Sequence, residues 1–250
     1  PEKVLEICVQ DGFKVIYLHI NPDQYPKKYF RDFIRLAGEK GIEVHALHGS
    51  PHHALEEYRY QITEFTDWIA VYNAESAEEE RFKGIHWDIE PHVTPEWWED
   101  REAVIKQWMA NVSHYVDRTR KAGMEISADI PFWMAQYEVE ADGKTLPLSR
   151  WMMQKHDDIT LMTYRNFAEG PNGILDLVQE EIGWAEEDGT RFYIGVETKP
   201  SLEGPYVSFH DKGRKEMYKE LQTVHYRMKN YDFYLGITIH QYNSYSSLKP

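Results

Sequence analysis

One unit repeats along this chain and limits what it can fold into: a helical segment, a glycine or turn, a short apolar strand and a polar loop. The strands read as 15–20, 43–47, 84–90, 125–130, 158–164, 192–197 and 234–241, seven in all. Helical spacing fills the intervals at 26–40, 53–72, 95–121, 148–155, 173–187 and 211–229, and Val4, Leu5 and Cys8 share that spacing ahead of Gly12. Strands alternating with helices imply crossover units and a parallel sheet, which is the α/β class. No Gly-x-Gly-x-x-Gly follows a strand, so a dinucleotide-binding sheet has no support. At 250 residues the expected architecture is a single (β/α)8 TIM-type barrel over 1–250. A barrel starts with a strand and ends with a helix, whereas this chain opens with a helix and closes just after a strand. The expectation is that the first strand and last helix lie outside the sequence, with an open seven-stranded sheet as the alternative. On barrel numbering, 84–90 is then the fourth strand, 158–164 the sixth, 192–197 the seventh and 234–241 the eighth.

Charge narrows the partners. The formal net charge is −14, which disfavours a groove for nucleic-acid phosphates or a surface for anionic lipid. No window approaches the roughly 20 apolar residues of a membrane span. A neutral substrate is compatible with this charge. Cys8 is the single cysteine, so neither an internal disulfide nor a Cys-rich zinc site is available. His45, His48, His52 and His53 cluster, but not in the His-Glu-x-x-His spacing of a zinc helix, and no cofactor is expected. The eight Trp and 17 Tyr serve core packing and also suit the flat faces of sugar rings. The compartment stays open, secreted or periplasmic included.

The chemistry concentrates at Gly84-Ile85-His86-Trp87-Asp88-Ile89-Glu90-Pro91. Side chains alternate faces along a strand, so His86, Asp88 and Glu90 share one face and Ile85, Trp87 and Ile89 the other. The apolar set should pack on helices. The polar set then points into the barrel, with Glu90 at the C-terminal mouth, where active sites of this fold sit. Burying two carboxylates and an imidazole costs several kcal/mol unless they are paired. A structural ion-pair network and a catalytic cluster are the two readings, and the cluster's position favours the second.

This segment resembles the Asp-Gly-x-Asp-x-Asp-x-Glu signature of the family-18 glycoside hydrolases, the chitinases and their relatives. Gly84, Asp88 and Glu90 match it, while Lys83 and His86 stand where its first two Asp residues would be. Asp158-Ile159-Thr160-Leu161-Met162-Thr163-Tyr164-Arg165 resembles the family's sixth strand, which ends Met-x-Tyr-Asp, with Arg165 in place of the Asp. The resemblance implies a divergent relative that hydrolyses glycosidic bonds of oligo- or polysaccharides. In it Glu90 would be the general acid, Asp88 would orient a substrate N-acetyl group acting as internal nucleophile, and Tyr164 would support it.

Other residues stand at strand ends. Glu197 closes the seventh strand, where many retaining glycosidases of this fold carry a nucleophile, and Gly195 on its face would leave room for ligand. The structural alternative pairs Glu197 with Arg165 or Lys199. Asp129 shares a face with Ser127 on the fifth strand, and Trp133 follows it. His240 and Tyr242 end the eighth strand and His19 the second. With His86 and Arg165, these are candidate substrate contacts. A sugar-binding barrel without turnover and a metal-dependent hydrolase using Asp88, Glu90 and Asp129 are the rival readings.

Overall fold

A computed structural model describes residues 2–250. The chain forms two compact units, Pro1–Ala128 and Asp129–Pro250. Seven strands follow one another through the sheet in chain order, four beginning in the first unit and three in the second. The class is α/β, with helices between successive strands.

In the first unit, α1 (Glu2–Asp11) precedes β1 (Val15–His19), α2 (Lys27–Gly38) precedes β2 (Glu43–His48), and α3 (Arg59–Ala74) precedes β3 (Gly84–Asp88). α4 (Pro95–Glu99) and α5 (Arg101–Lys121) lead to β4 (Glu125–Pro131), which runs on into the second unit. β1 pairs with β2 and β2 with β3, both in parallel. The apolar stripe of α3, with Ile62, Phe65, Ile69 and Tyr72, is buried, as are Val104, Ile105, Trp108, Val112 and Tyr115 of α5. Trp87 lies against both stripes. Its ring stacks on Tyr115 at 4.9 Å and meets Phe65 edge-on at 5.6 Å.

The continuous helix expected over 53–72 does not form. Two 3-10 turns, Pro51–Ala54 and Glu56–Tyr58, come first, separated by an extended Leu55. Buried Asn111 of α5 holds this loop. Its amide donates to the carbonyls of His53 and Leu55, and its oxygen accepts from Arg59 Nε. The helix expected over 95–121 breaks at Asp100, whose carboxylate caps α5 by accepting from Ala103 N.

In the second unit the residues after β4 form a hairpin that the strand pattern did not predict. β5 (Glu138–Ala141) and β6 (Lys144–Pro147) pair antiparallel across Asp142 and Gly143, both with positive φ. Then follow α6 (Leu148–Lys155), β7 (Asp158–Met162), α7 (Gln179–Asp188), β8 (Phe192–Glu197), α8 (Arg214–Met228), β9 (Tyr234–His240) and α9 (Tyr242–Ser246). β7, β8 and β9 pair in parallel. Helices α7 and α8 start later than expected, after turns over 173–178 and at Gly213. No helix among the described residues is long and apolar enough to cross a membrane.

Candidate functional site

The alternation along β3 separates its two faces. Opposite Trp87, the face of His86 meets the other strands of the sheet. His86 is fully buried, stacks on Tyr17 of β1 at 3.7 Å, and its Nδ1 lies 2.8 Å from Ser127 Oγ of β4. His45 of β2 meets the same Tyr17 ring edge-on at 5.8 Å. Burial, with His86 and Lys83 nearby, lowers the His45 pKa to about 3. This column is buried filling beneath the strand ends. His86, a candidate substrate contact, belongs to it and is closed to solvent.

Asp88 ends β3 and is half-buried. Glu90 lies two residues beyond the strand, with φ −111° and ψ 75°, and opens the short turn Pro91–Val93. Its side chain is 37% exposed, and Oε2 lies 3.6 Å from Nε2 of His92. That separation is a polar contact just beyond hydrogen-bond length. Burial lowers the His92 pKa. His92 also accepts, through its carbonyl, a bond from Trp98 Nε1. No pattern singled out His92; its place two residues after Glu90 is the only trace of it in the sequence. Trp98 is exposed while Trp97 is buried, so packing accounts for only one of the pair.

At the end of β2, His48 stacks on Phe65 and lies 5.3 Å from the His53 ring and 6.3 Å from His19. His48 and His45 therefore face opposite sides of the sheet. Burial first, then His53 and His19, lower the His48 pKa to about 4. His19 is exposed. Among the described residues no three His, Cys, Asp or Glu side chains gather as a metal-binding group.

The second unit has its own cluster. Glu197 and His240 are opposite residues of β8 and β9. Glu197 Oε1 accepts from the backbone N–H of Thr198 at 2.7 Å and of Lys199 at 2.6 Å, and Oε2 pairs with His240 Nδ1 at 3.0 Å. The structural alternative, Glu197 paired with the Arg165 or Lys199 side chain, gives way to these contacts. Arg165 instead lies over Phe132 at 5.2 Å and Tyr206 at 5.1 Å, and donates to the Tyr164 carbonyl. Tyr164 is half-buried, its ring parallel to that of His240 at 6.3 Å. The room expected beside Gly195 is occupied: a Cβ there would lie 2.8 Å from Thr160 Cγ2 and 3.3 Å from Thr238 Oγ1. Neighbouring strands, not a ligand, require this glycine. Asp129, Trp133 and Tyr242 are half-buried, and Trp133 meets Tyr137 edge-on at 6.3 Å.

No family model and no curated protein matches the sequence. Solved structures do. An endo-beta-N-acetylglucosaminidase from Cordyceps militaris matches over 92% of this chain and 71% of its own, at 11% identity and TM-score 0.55. A D-psicose 3-epimerase from Clostridium cellulolyticum H10 matches over 92% of both chains, at 9% identity and TM-score 0.56. A class V chitinase from Pseudomonas fluorescens Pf-5 matches over 78% of this chain, at 15% identity and TM-score 0.51. The chain spans 64% of that chitinase and 53% of a chitinase domain from Ostrinia furnacalis. The shared feature is the fold, a TIM-type barrel that glycoside hydrolases and an epimerase have in common.

Proposed function

We propose that the chain is a glycoside hydrolase acting on oligo- or polysaccharide, with Glu90 as the general acid and Asp88 assisting. The observation that carries this reading is the end of β3. The helix layer takes up Trp87 and its apolar neighbours, and beyond them stand a half-buried carboxylate and a second, partly exposed one beside a histidine. A proton donor must be within reach of substrate, and the partly exposed Glu90, with His92 Nε2 at 3.6 Å, meets that need. Glu90 protonates the leaving glycosidic oxygen. Asp88 orients an N-acetyl group that attacks the anomeric carbon in place of a protein nucleophile. Likeness to an endo-beta-N-acetylglucosaminidase and a chitinase makes oligomers of N-acetylglucosamine the first substrates to try.

The test is a panel of labelled glycans hydrolysed by the wild-type chain and by Glu90→Gln. Loss of a general acid should lower kcat by roughly 10²–10⁴-fold. Asp88→Asn should lower kcat too, most on N-acetylated substrates. Full activity in Glu90→Gln overturns the reading. A second reading, a sugar-binding barrel without turnover, is favoured by His86, which stands at the signature's second Asp and is committed to Tyr17 and Ser127. It predicts binding on the same panel, unchanged in Glu90→Gln, with no hydrolysis by either protein.

A further inference from the structure

The pairing of β8 with β9 places Glu197 directly beside His240. The Glu197 side chain is 11% exposed and that of His240 is 46% exposed. Three N–H donors hold the carboxylate: two backbone amides on Oε1 and His240 Nδ1 on Oε2. A carboxylate gripped in this way is poorly free to attack an anomeric carbon, because attack would break bonds that the fold has already made. It is well placed to fix its neighbour. With Nδ1–H donating to Glu197, the neutral ring has one tautomer, and the protonated ring presents Nε2–H on its other edge. The His240 side chain is open enough for a ligand to reach it, while its Nδ1 is taken by Glu197. The parallel Tyr164 ring, and Arg165 between Phe132 and Tyr206, add aromatic and cationic surface to the same unit.

We propose that His240 is a substrate contact whose Nε2–H donates to a hydroxyl or glycosidic oxygen of a bound sugar, and that Glu197 is its positioning residue rather than a nucleophile. The sugar half of this inference rests on the carbohydrate reading above; the pairing half does not. The groups around the ring agree with it. The bond to Glu197, then its charge and that of Asp129, raise the His240 pKa, against burial and Lys199, which lower it. The donor form is therefore present at low pH and is lost as pH rises through a midpoint above the ordinary histidine value.

The experiment has two arms on the whole chain. In the first, ring signals of His240 are followed by NMR from about pH 4 to about pH 9, a span that brackets the ordinary histidine pKa. The wild-type ring should titrate above the usual histidine value and show Nδ1–H when neutral, and Glu197→Gln should move the midpoint down. An unchanged midpoint in Glu197→Gln overturns the pairing. In the second, calorimetry measures binding of an N-acetylglucosamine tetramer. Affinity should fall roughly tenfold or more, the worth of a charge-assisted bond, as pH rises through that midpoint. It should fall as far in His240→Asn, whose shorter amide keeps a partner for Glu197 and removes the far donor. Equal affinity in wild type and His240→Asn at every pH overturns the role of His240. A wild-type chain that binds no tetramer defeats the carbohydrate reading and the sugar half with it, while the titration still decides the pairing.

Discussion

Asp88 sits under a loop with no room for a side chain. A Cβ built on Gly49 would lie 1.7 Å from the Asp88 carbonyl oxygen and 3.0 Å from its Cα. Both are backbone atoms, so neither can swing aside as a flexible side chain would. Gly49→Ala must therefore push the end of β3, at a cost of about 1–3 kcal/mol for an overpacked contact. The expected outcome is a lower denaturation midpoint together with a fall in hydrolysis larger than that of an alanine change elsewhere in the loop. A variant with wild-type stability and activity would show that the loop yields freely. This contact was not legible in the sequence, because Gly49 and Asp88 are brought together only by the pairing of β2 with β3. Gly195 teaches the same point in reverse. It shares a face with Glu197, which made it look like space for a ligand, whereas Thr160 and Thr238 on the flanking strands fill that space. A lone strand shows which face a glycine occupies and nothing of what leans over it.

Among the elements, β3 carries the clearest energetic signature. Trp87 is fully buried between Phe65 and Tyr115, and removing it leaves a large cavity. Trp87→Ala should cost about 3–5 kcal/mol of stability, read as a shift in urea midpoint at unchanged slope. A loss below about 1 kcal/mol would mean that the helix layer collapses to fill the gap. The strand-helix repeat and the facing of Trp87 were legible because period 2 and period 3.6 patterns are local. The breaks at Leu55 and Asp100 were less so: one is held open by Asn111 from a distant helix, the other by a cap whose residue type permits helix as readily as it ends one. The hairpin over 138–147 did carry a signal, Asp142-Gly143 between alternating residues. Its strands are short and mostly polar, so hydrophobic patterning alone passes over them. Of the candidate site, the place of Asp88 at a strand end was legible, whereas the turn that carries Glu90 beyond the strand was not. Nor was the engagement of Glu197 by His240, since it depends on the register between β8 and β9.

Stability of the whole molecule should depend on pH through a residue outside either cluster. Glu181 of α7 is 1% exposed, and burial, helped by the charge of Glu180, raises its pKa from the ordinary 4.5 to about 8. A carboxyl with a raised folded pKa binds its proton more tightly in the folded chain. Its contribution is full below about pH 4.5 and is lost as pH climbs towards 8. The loss across that window is on the order of a few kcal/mol. Glu181→Gln removes the titration, so its melting temperature should match wild type near the acid end of the window and exceed it at the alkaline end. Parallel melting curves for the two proteins across the window would show that Glu181 keeps its charge on burial. The two sides of β3 are anchored separately. Trp87 is fixed by Phe65 and Tyr115 of the helix layer, whereas His86 is fixed by Tyr17 of β1 and Ser127 of β4. The strand end that carries Asp88 is thus clamped from both faces, and loosening either clamp shifts the carboxylate without touching it.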